Sequence, residues 1–310
     1  SMVTTLTLNP CVDRTITING FRYGGTNKIT NVRSDISGKG INVSIALHQL
    51  GRETLCVGFN YSGDDTLTRD LSRMGIAYDL VDVPGKLRIN IKAFDADKHV
   101  MTEFNEGGGP VSAEDVESLM NRMDAYIERS DIMVINGSAP PGVPSDLYKR
   151  MIEKTNAYGK KAILDAYGPL LTEGIKSAPF LIKPNRDELE ASFGCKIHSL
   201  DDSIAIARKI IVENGVKYVC ISMGKEGALL VSGDRAWFSE GADVPVRGVQ
   251  GAGDSLVSGI CMAILDGVSE PEILHYGVAV AHGSLIHDGT QMCMPEDFKQ
   301  MMELISVREI

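Results

Sequence analysis

Gln250-Gly251-Ala252-Gly253-Asp254-Ser255-Leu256 is the stretch on which the reading of this chain turns. Three small residues precede one carboxylate, and Val257 to Leu265 then runs apolar and helical in character. A glycine turn that opens a helix collects backbone N–H groups at the positive end of the helix dipole, which is a seat for a phosphate-like anion. Asp254 then falls in the first turn, within reach of whatever the anion site holds. Taken alone, the stretch is equally a loop closed by an N-capping Asp. What decides between the two is the remainder of the chain.

A second glycine-led helix start lies near the N-terminus, Ser37-Gly38-Lys39-Gly40-Ile41-Asn42-Val43. A Lys between two glycines lets backbone and ammonium approach one anion together. The spacing is not that of a Walker A loop, and Val43 stands where a dinucleotide fingerprint needs its third glycine. The alternative is an exposed Lys in a turn. Upstream, Val3 to Leu8 is β-branched and alternating, a strand that Asn9-Pro10 ends. Asp13 follows it, either as a turn residue or as a carboxylate at the end of a core strand, where α/β proteins hold ligands.

Leu87 to Phe94 alternates strictly. Period two puts Arg88, Asn90 and Lys92 on one face and Ile89 and Ile91 on the other. A solvated sheet face is one reading. The other is a small sheet whose polar face covers a phosphorylated ligand, with His99 to Phe104 completing a hairpin. From Ser112 onward strands and helices alternate. Short apolar strands end at Asn136-Gly137-Ser138, at Asp165, at Lys183-Pro184-Asn185-Arg186-Asp187-Glu188, and at Ser222 before Gly224 and Gly227. Such alternation predicts a mainly parallel sheet with helices on both faces, its polar clusters on the C-terminal edge of the strands.

Bulk properties bound the rest. The chain has 310 residues, 43% of them hydrophobic, with a net charge of −10. That suits one large α/β domain and argues against nucleic acid or an anionic membrane as a general partner. A local basic pocket can still hold an anion. Six scattered cysteines without a C-x-x-C pair are expected to be buried free thiols, and the absence of a secretory signal or long apolar span points to the cytoplasm.

The order of these clusters resembles that of the ribokinase-like sugar kinases of the phosphofructokinase-B family, over nearly the whole chain. The carrying segments are Asn9-Pro10-x-x-Asp13, Gly38-Lys39-Gly40-x-Asn42-Val43, Arg88-x-Asn90-x-Lys92, Gly137-Ser138-x-Pro140-Pro141-Gly142, Lys183-Pro184-Asn185-x-x-Glu188, Ser222-x-Gly224-x-x-Gly227 and Gly251-Ala252-Gly253-Asp254. The Arg-x-Asn-x-Lys strand and the Pro-Pro-Gly turn are most similar to the hexose-phosphate branch, which includes 1-phosphofructokinase and tagatose-6-phosphate kinase.

The resemblance implies a three-layer αβα sandwich in one domain over 1–310, with a small β lid at about 12–35 and 87–106. It implies Asp254 as catalytic base and the amides of Gly251, Ala252 and Gly253 as an anion hole. Asp13, Gly38 and Asn42 match sugar-hydroxyl contacts. Lys39, Arg88 and Lys92, with Asn90 and Ser138, match a substrate phosphate site. Lys183, Asn185, Ser222, Gly224 and Gly227 match the nucleotide site, and Asn185 with Glu188 the segment that places Mg²⁺ through water. The implied reaction is ATP- and Mg²⁺-dependent phosphorylation of a ketohexose monophosphate, fructose 1-phosphate to fructose 1,6-bisphosphate, with tagatose 6-phosphate as the alternative acceptor. A sugar-phosphate-binding sensor without catalysis is the competing reading from another class. A homodimer through the lid is expected, since a small exposed sheet seeks cover. The chain departs from the family pattern at Ser37, at Asp165-Ala166-Tyr167-Gly168, and at Gly248-Val249, where the residues associated with a monovalent-cation site would stand.

Overall fold

The computed structural model describes residues 1–246, 251–287 and 291–310. Gln250, Gly248 and Val249 therefore lie outside the described residues. In chain order, β1 (Met2–Thr7) is followed by β2 (Cys11–Ile18), β3 (Ile29–Ser37), α1 (Lys39–Gln49), β4 (Glu53–Tyr61), α2 (Thr66–Met74), β5 (Ala77–Val83), β6 (Arg88–Asp95) and β7 (Val100–Asn105). Then come α3 (Ala113–Arg129), β8 (Ile132–Asn136), α4 (Leu147–Ala157), β9 (Lys161–Asp165), α5 (Pro169–Gly174), β10 (Leu181–Ile182), α6 (Arg186–Phe193), α7 (Leu200–Asn214) and β11 (Tyr218–Ser222). The hairpin β12 (Ala228–Val231) and β13 (Ala236–Ser239), helices α8 (Ala252–Asp266), α9 (Glu270–Leu285) and α10 (Pro295–Leu304), and the short β14 (Arg308–Glu309) complete the order.

The central sheet runs β14-β13-β12-β11-β10-β9-β8-β1-β4-β5. Strands β5 to β11 in that order are mutually parallel, and β12 to β14 continue the edge antiparallel. Strands buried on both faces are mainly apolar, because helices cover each side, and the buried Thr4 and Thr5 of β1 spend their hydroxyls on Ser130 and Ser44. Along β8, Met133 and Ile135 enter one hydrophobic cluster with α3, α4 and α7, while Ile132 and Val134 enter the other with α8, α9 and α10. This is the three-layer sandwich that the strand–helix alternation predicts. Five of the six cysteines are buried and all are free thiols.

Sequence periodicity does not reveal β5, whose inside–outside alternation survives only at Val81-Asp82-Val83. It also misses α6, which buries Leu189 alone. Both are edge or surface elements with too little burial to print a pattern.

The second sheet has four strands, β3-β2-β6-β7, with β2 and β6 parallel and the outer pairs antiparallel. Register places Arg88 opposite Cys11, Asn90 opposite Asp13 and Lys92 opposite Thr15 on one face, continued by Glu103 and Asn105 of β7 and by Asp35 of β3. That face looks onto the ends of β1 and β8. The opposite face carries Val32, Val100 and Phe104, each more than half exposed.

Gly40 fixes how α1 meets the central sheet. A Cβ there would lie 2.3 Å from the Leu6 carbonyl oxygen, so helix and β1 touch backbone to backbone. The Thr7 hydroxyl then accepts the Ile41 N–H at 3.0 Å. This contact sets Lys39 and Asn42 directly over the end of the central strand.

Candidate active site

Helix α8 opens with Gly251 at its N-cap, in the left-handed region at φ 72°, and no side chain caps it among the described residues. Asp254 is the third helical residue rather than the cap, so the N-capping alternative does not hold. Helices α3, α6 and α7, by contrast, have their first turns closed by Ser112, Asn185 and Ser199. The first N–H groups of a helix have no partner within it. No side chain among the described residues takes those of α8.

Asp254 is buried, 7% exposed. Its Oδ2 accepts the Asn42 side-chain N–H at 2.9 Å, joining residues 212 positions apart. Its Oδ1 is buried without a hydrogen bond among the described residues and lies 3.8 Å from Lys39 Nζ. Burial raises this carboxyl above its ordinary value, Lys39 opposes the rise, and Asp165 adds to it. Lys39 Nζ itself sits 3.2 Å from Asp165 Oδ2, and Lys183 Nζ reaches the same oxygen at 3.7 Å. Burial works against the charge of Lys39, but Asp165 and Asp254 more than offset it, and the ammonium is held above its usual range. Lys183 is buried and its Nζ lies 3.3 Å from where a Cβ of Gly253 would be, against the first turn of α8.

The eight sequence-predicted substrate residues come together. Asp13, Gly38, Lys39, Asn42, Arg88, Asn90, Lys92 and Ser138 all line one cavity of about 260 Å³ between the small sheet and the ends of β1 and β8. It adjoins a larger one of about 670 Å³, which Gly251 and Asp254 line and which shares Asp13, Asn42 and Lys92 with the first. Within the cleft, Lys92 Nζ pairs with Asp13 Oδ2 at 3.3 Å and approaches Glu103 at 3.8 Å. Arg88 is held by neutral groups: Nε and Nη2 donate to the Asn9 carbonyl at 3.2 and 2.9 Å, and Nη1 to the Glu106 carbonyl at 3.1 Å. Asn9 also donates to the Ser138 hydroxyl at 3.1 Å. The Cys11 thiol, between Asp13 and Asn90, is pushed up to about 12, by burial first and by the Asp13 carboxylate second.

The predicted nucleotide residues form a neighbouring group that lines neither cavity. Asn185 and Ser222 meet in a parallel bridge at the ends of β10 and β11. Met223 N–H donates to the Gly227 carbonyl at 2.9 Å, closing the turn that holds Gly224. An Arg186–Glu226 ion pair ties this turn to α6. Asn185 and Glu188 form a capping box: Asn185 Oδ1 accepts the Glu188 N–H at 2.7 Å, and Glu188 Oε1 accepts the Asn185 N–H at 3.1 Å. Gly253, in the first turn of α8, lies against Lys183 of this group.

Sequence reasoning missed Asp165 as a site residue, although it ends a buried strand just as Asp13 follows one. It also missed Asn136, which lies beside Asp165 in the sheet and buries both side-chain amide atoms without a hydrogen-bond partner among the described residues. Tyr167 likewise lines the smaller cavity.

Sheet, cleft, buried base-like carboxylate and uncapped helix start together define a small-molecule kinase of the sugar-kinase type. Residues 6–297 match the model of the pfkB family carbohydrate kinases, and the chain belongs to that family. It is 33% identical over 280 residues to a 1-phosphofructokinase of Escherichia coli strain K12, covering 90% of this chain and 89% of that one. It is 30% identical over 311 residues to the 1-phosphofructokinase of Bacillus subtilis, covering both chains in full. Phosphofructokinase-2 from Escherichia coli, crystallised with substrates and products, superposes with a TM-score of 0.90 at 25% identity, covering 98% of this chain and 99% of that one. Among the described residues, no helix is long and apolar enough to cross a membrane.

Proposed function

We propose that the protein is a 1-phosphofructokinase, transferring the γ-phosphoryl group of ATP to fructose 1-phosphate to give fructose 1,6-bisphosphate. The observation that carries this reading is the cleft itself: Lys39, Arg88 and Lys92 with Asp13 and Glu103 on one small volume, and the buried Asp254 on the larger cavity that adjoins it. Full-length similarity to 1-phosphofructokinases supports the choice of acceptor.

Phosphoryl transfer asks for positioning and charge stabilisation more than for covalent help. Asp13 and Asn42 orient the sugar hydroxyls. Asp254 accepts the proton of the acceptor hydroxyl while that oxygen bonds to phosphorus and the bond to ADP breaks. The first amides of α8 receive charge on the equatorial phosphoryl oxygens without reorganising, and Lys183 lies beside them. Arg88, Lys39 and Lys92 take the phosphate already on the sugar. Lys39 and Lys92 are paired with carboxylates in this structure, so phosphate competes with Asp165 and Asp13 for them, whereas Arg88 has no carboxylate within ion-pair distance among the described residues.

Asn185, Ser222, Gly224 and Gly227 take the nucleotide side. Among the described residues there is no cluster of three acidic, His or Cys side chains able to grip a metal directly. The capping box engages Oε1 of Glu188 and does not use Oε2, which could accept from metal-bound water. Asn185 and Glu188 therefore fit Mg²⁺ held through its waters, where the ion supplies neutralisation of the polyphosphate charge.

The small sheet acts as a lid over one domain, spanning about 12–35 and 87–106. Its exposed Val32, Val100 and Phe104 face is the surface through which two copies pair. A coupled assay of ADP release across sugars and sugar phosphates tests the reading. Turnover is expected with fructose 1-phosphate far above tagatose 6-phosphate and free sugars. Preference for an unphosphorylated sugar would overturn it.

A further inference from the structure

We propose that Asp165 is a positioning residue that divides two lysines across the first turn of α8, drawing Lys39 toward the sugar-phosphate side and Lys183 toward the nucleotide side, and so limiting how much ammonium charge falls on the Asp254 carboxylate. This rests on the kinase reading and on Asp254 as its base.

The distances carry the argument. Asp165 Oδ2 is 3.2 Å from Lys39 Nζ and 3.7 Å from Lys183 Nζ, while Lys39 stands farther, at 3.8 Å, from Asp254 Oδ1. Asp165 is 2% exposed, so water cannot replace it as a counter-charge. One buried cation, Lys183, one partly exposed cation, Lys39, and two buried carboxylates balance as a set, and the balance is uneven. One carboxylate, Asp165, takes both close contacts. The other, Asp254, accepts from the neutral Asn42, and its Oδ1 has no hydrogen bond among the described residues but lies 3.8 Å from Lys39 Nζ. A carboxylate in contact with an ammonium is a poorer proton acceptor, because the opposite charge favours its ionised form. Removing Asp165 leaves Asp254 as the nearest carboxylate for both lysines.

The groups facing Asp254 are Lys39 and Asn42 from α1, Asp165 from β9 and Lys183 from the segment after β10, and across the larger cavity His48 of α1, the Arg33–Asp35 ion pair of β3, and Asp13 and Lys92. The last two neutralise one another at 3.3 Å. Among these groups Asp165 is the carboxylate that acts on Asp254 directly, second to Lys39 in its effect, and it is also the group that holds Lys39.

The test compares the wild type with Asp165→Asn and Lys183→Met. Carboxyl titration of Asp254 is followed by ¹³C NMR on protein labelled at the Asp carboxyl carbon, with the resonance assigned through Asp254→Asn. In Asp165→Asn the Asp254 carboxyl titrates at lower pH than in the wild type. The acid limb of kcat/KM moves the same way, and kcat falls by roughly tenfold, as expected of a weakened base. In Lys183→Met, where Lys39 has Asp165 to itself, the titration moves to higher pH. Restoration of the wild-type titration by Asp165→Glu supports positioning over mere space filling. An unchanged or upward titration in Asp165→Asn overturns the proposal. Should that variant fail to fold, an unchanged titration in Lys183→Met overturns it instead. The NMR readout needs no substrate, so a wild type that turns over no sugar phosphate refutes the kinase reading separately.

Discussion

Replacing Arg88 by Ala is expected to separate the phosphate end of the cleft from everything else in it. The guanidinium spends its donors on two backbone carbonyls, those of Asn9 and Glu106, and on the Asn90 side chain at 3.4 Å. No carboxylate comes within ion-pair distance among the described residues, so the positive charge is presented whole to the cavity. A charge-assisted hydrogen bond to phosphate is worth about 1.5–3 kcal/mol. That corresponds to a rise in KM for fructose 1-phosphate of roughly 12- to 150-fold, with KM for ATP nearly unchanged. The same substitution strips two donors from the Asn9 carbonyl, so a thermal melt is recorded alongside to separate lost stability from lost binding. Arg88→Lys should recover part of the affinity, since an ammonium restores charge but not the planar fork. Steady-state kinetics with each substrate varied in turn is the assay. Equal weakening of ATP and fructose 1-phosphate, or an unaltered KM for the sugar phosphate, would refute the reasoning.

Asp254→Asn should lower kcat by about 10²–10⁴ while leaving substrate KM values within a few-fold, and near-normal turnover would remove Asp254 from its role. Because burial raises the Asp254 carboxyl and catalysis needs it ionised, wild-type activity should be lost on acidification above the ordinary carboxylate range; a rate flat down to about pH 4 argues otherwise. Gly40→Ala puts a methyl 2.3 Å from the Leu6 carbonyl and 2.4 Å from Thr7 Oγ1, forcing α1 off β1. About 1–3 kcal/mol of overpacking is expected, with lower Tm and lower activity together, and a melt matching wild type counts against it. Asp95 accepts four backbone N–H groups, from Gly20, Phe21, Asp97 and Lys98, and the Phe21 bond leads in bringing its carboxyl down to about 2. A depressed carboxyl stabilises the fold above its unfolded value near 3.8 and ceases to as pH falls through about 2. Hydrogen exchange at 18–29 should therefore accelerate only in that acid window, and Asp95→Asn should accelerate it at neutral pH.

Local chemistry was the part of the site most legible in the sequence. Gly38-Lys39-Gly40 and Gly251-Ala252-Gly253-Asp254 announce helix starts by composition, and both lie at the cleft. Strict alternation from Leu87 to Phe94 placed Arg88, Asn90 and Lys92 on one face, as the pairing with β2 bears out. What composition cannot carry is the partner of a charge. Lys39 reads as a phosphate ligand, yet its nearest group is Asp165, 126 residues away. Gly40 reads as room for an anion, but it is the Leu6 backbone that requires it. Glu188 reads as a metal-site residue, and half its carboxylate closes a helix.

The first strand of the chain lies inside the sheet, flanked by β4 on one side and β8 on the other. Its second neighbour emerges from synthesis some 125 residues later, and Asp254 later still. Parallel pairing of this kind closes long loops before any contact rewards them. A nascent chain therefore carries its first strand with an open edge until nearly half of these residues have been made, and it acquires Asp254 only later. The cost of building a cleft from distant strand ends falls on biogenesis: this protein needs protection while it is being made far more than once it is complete.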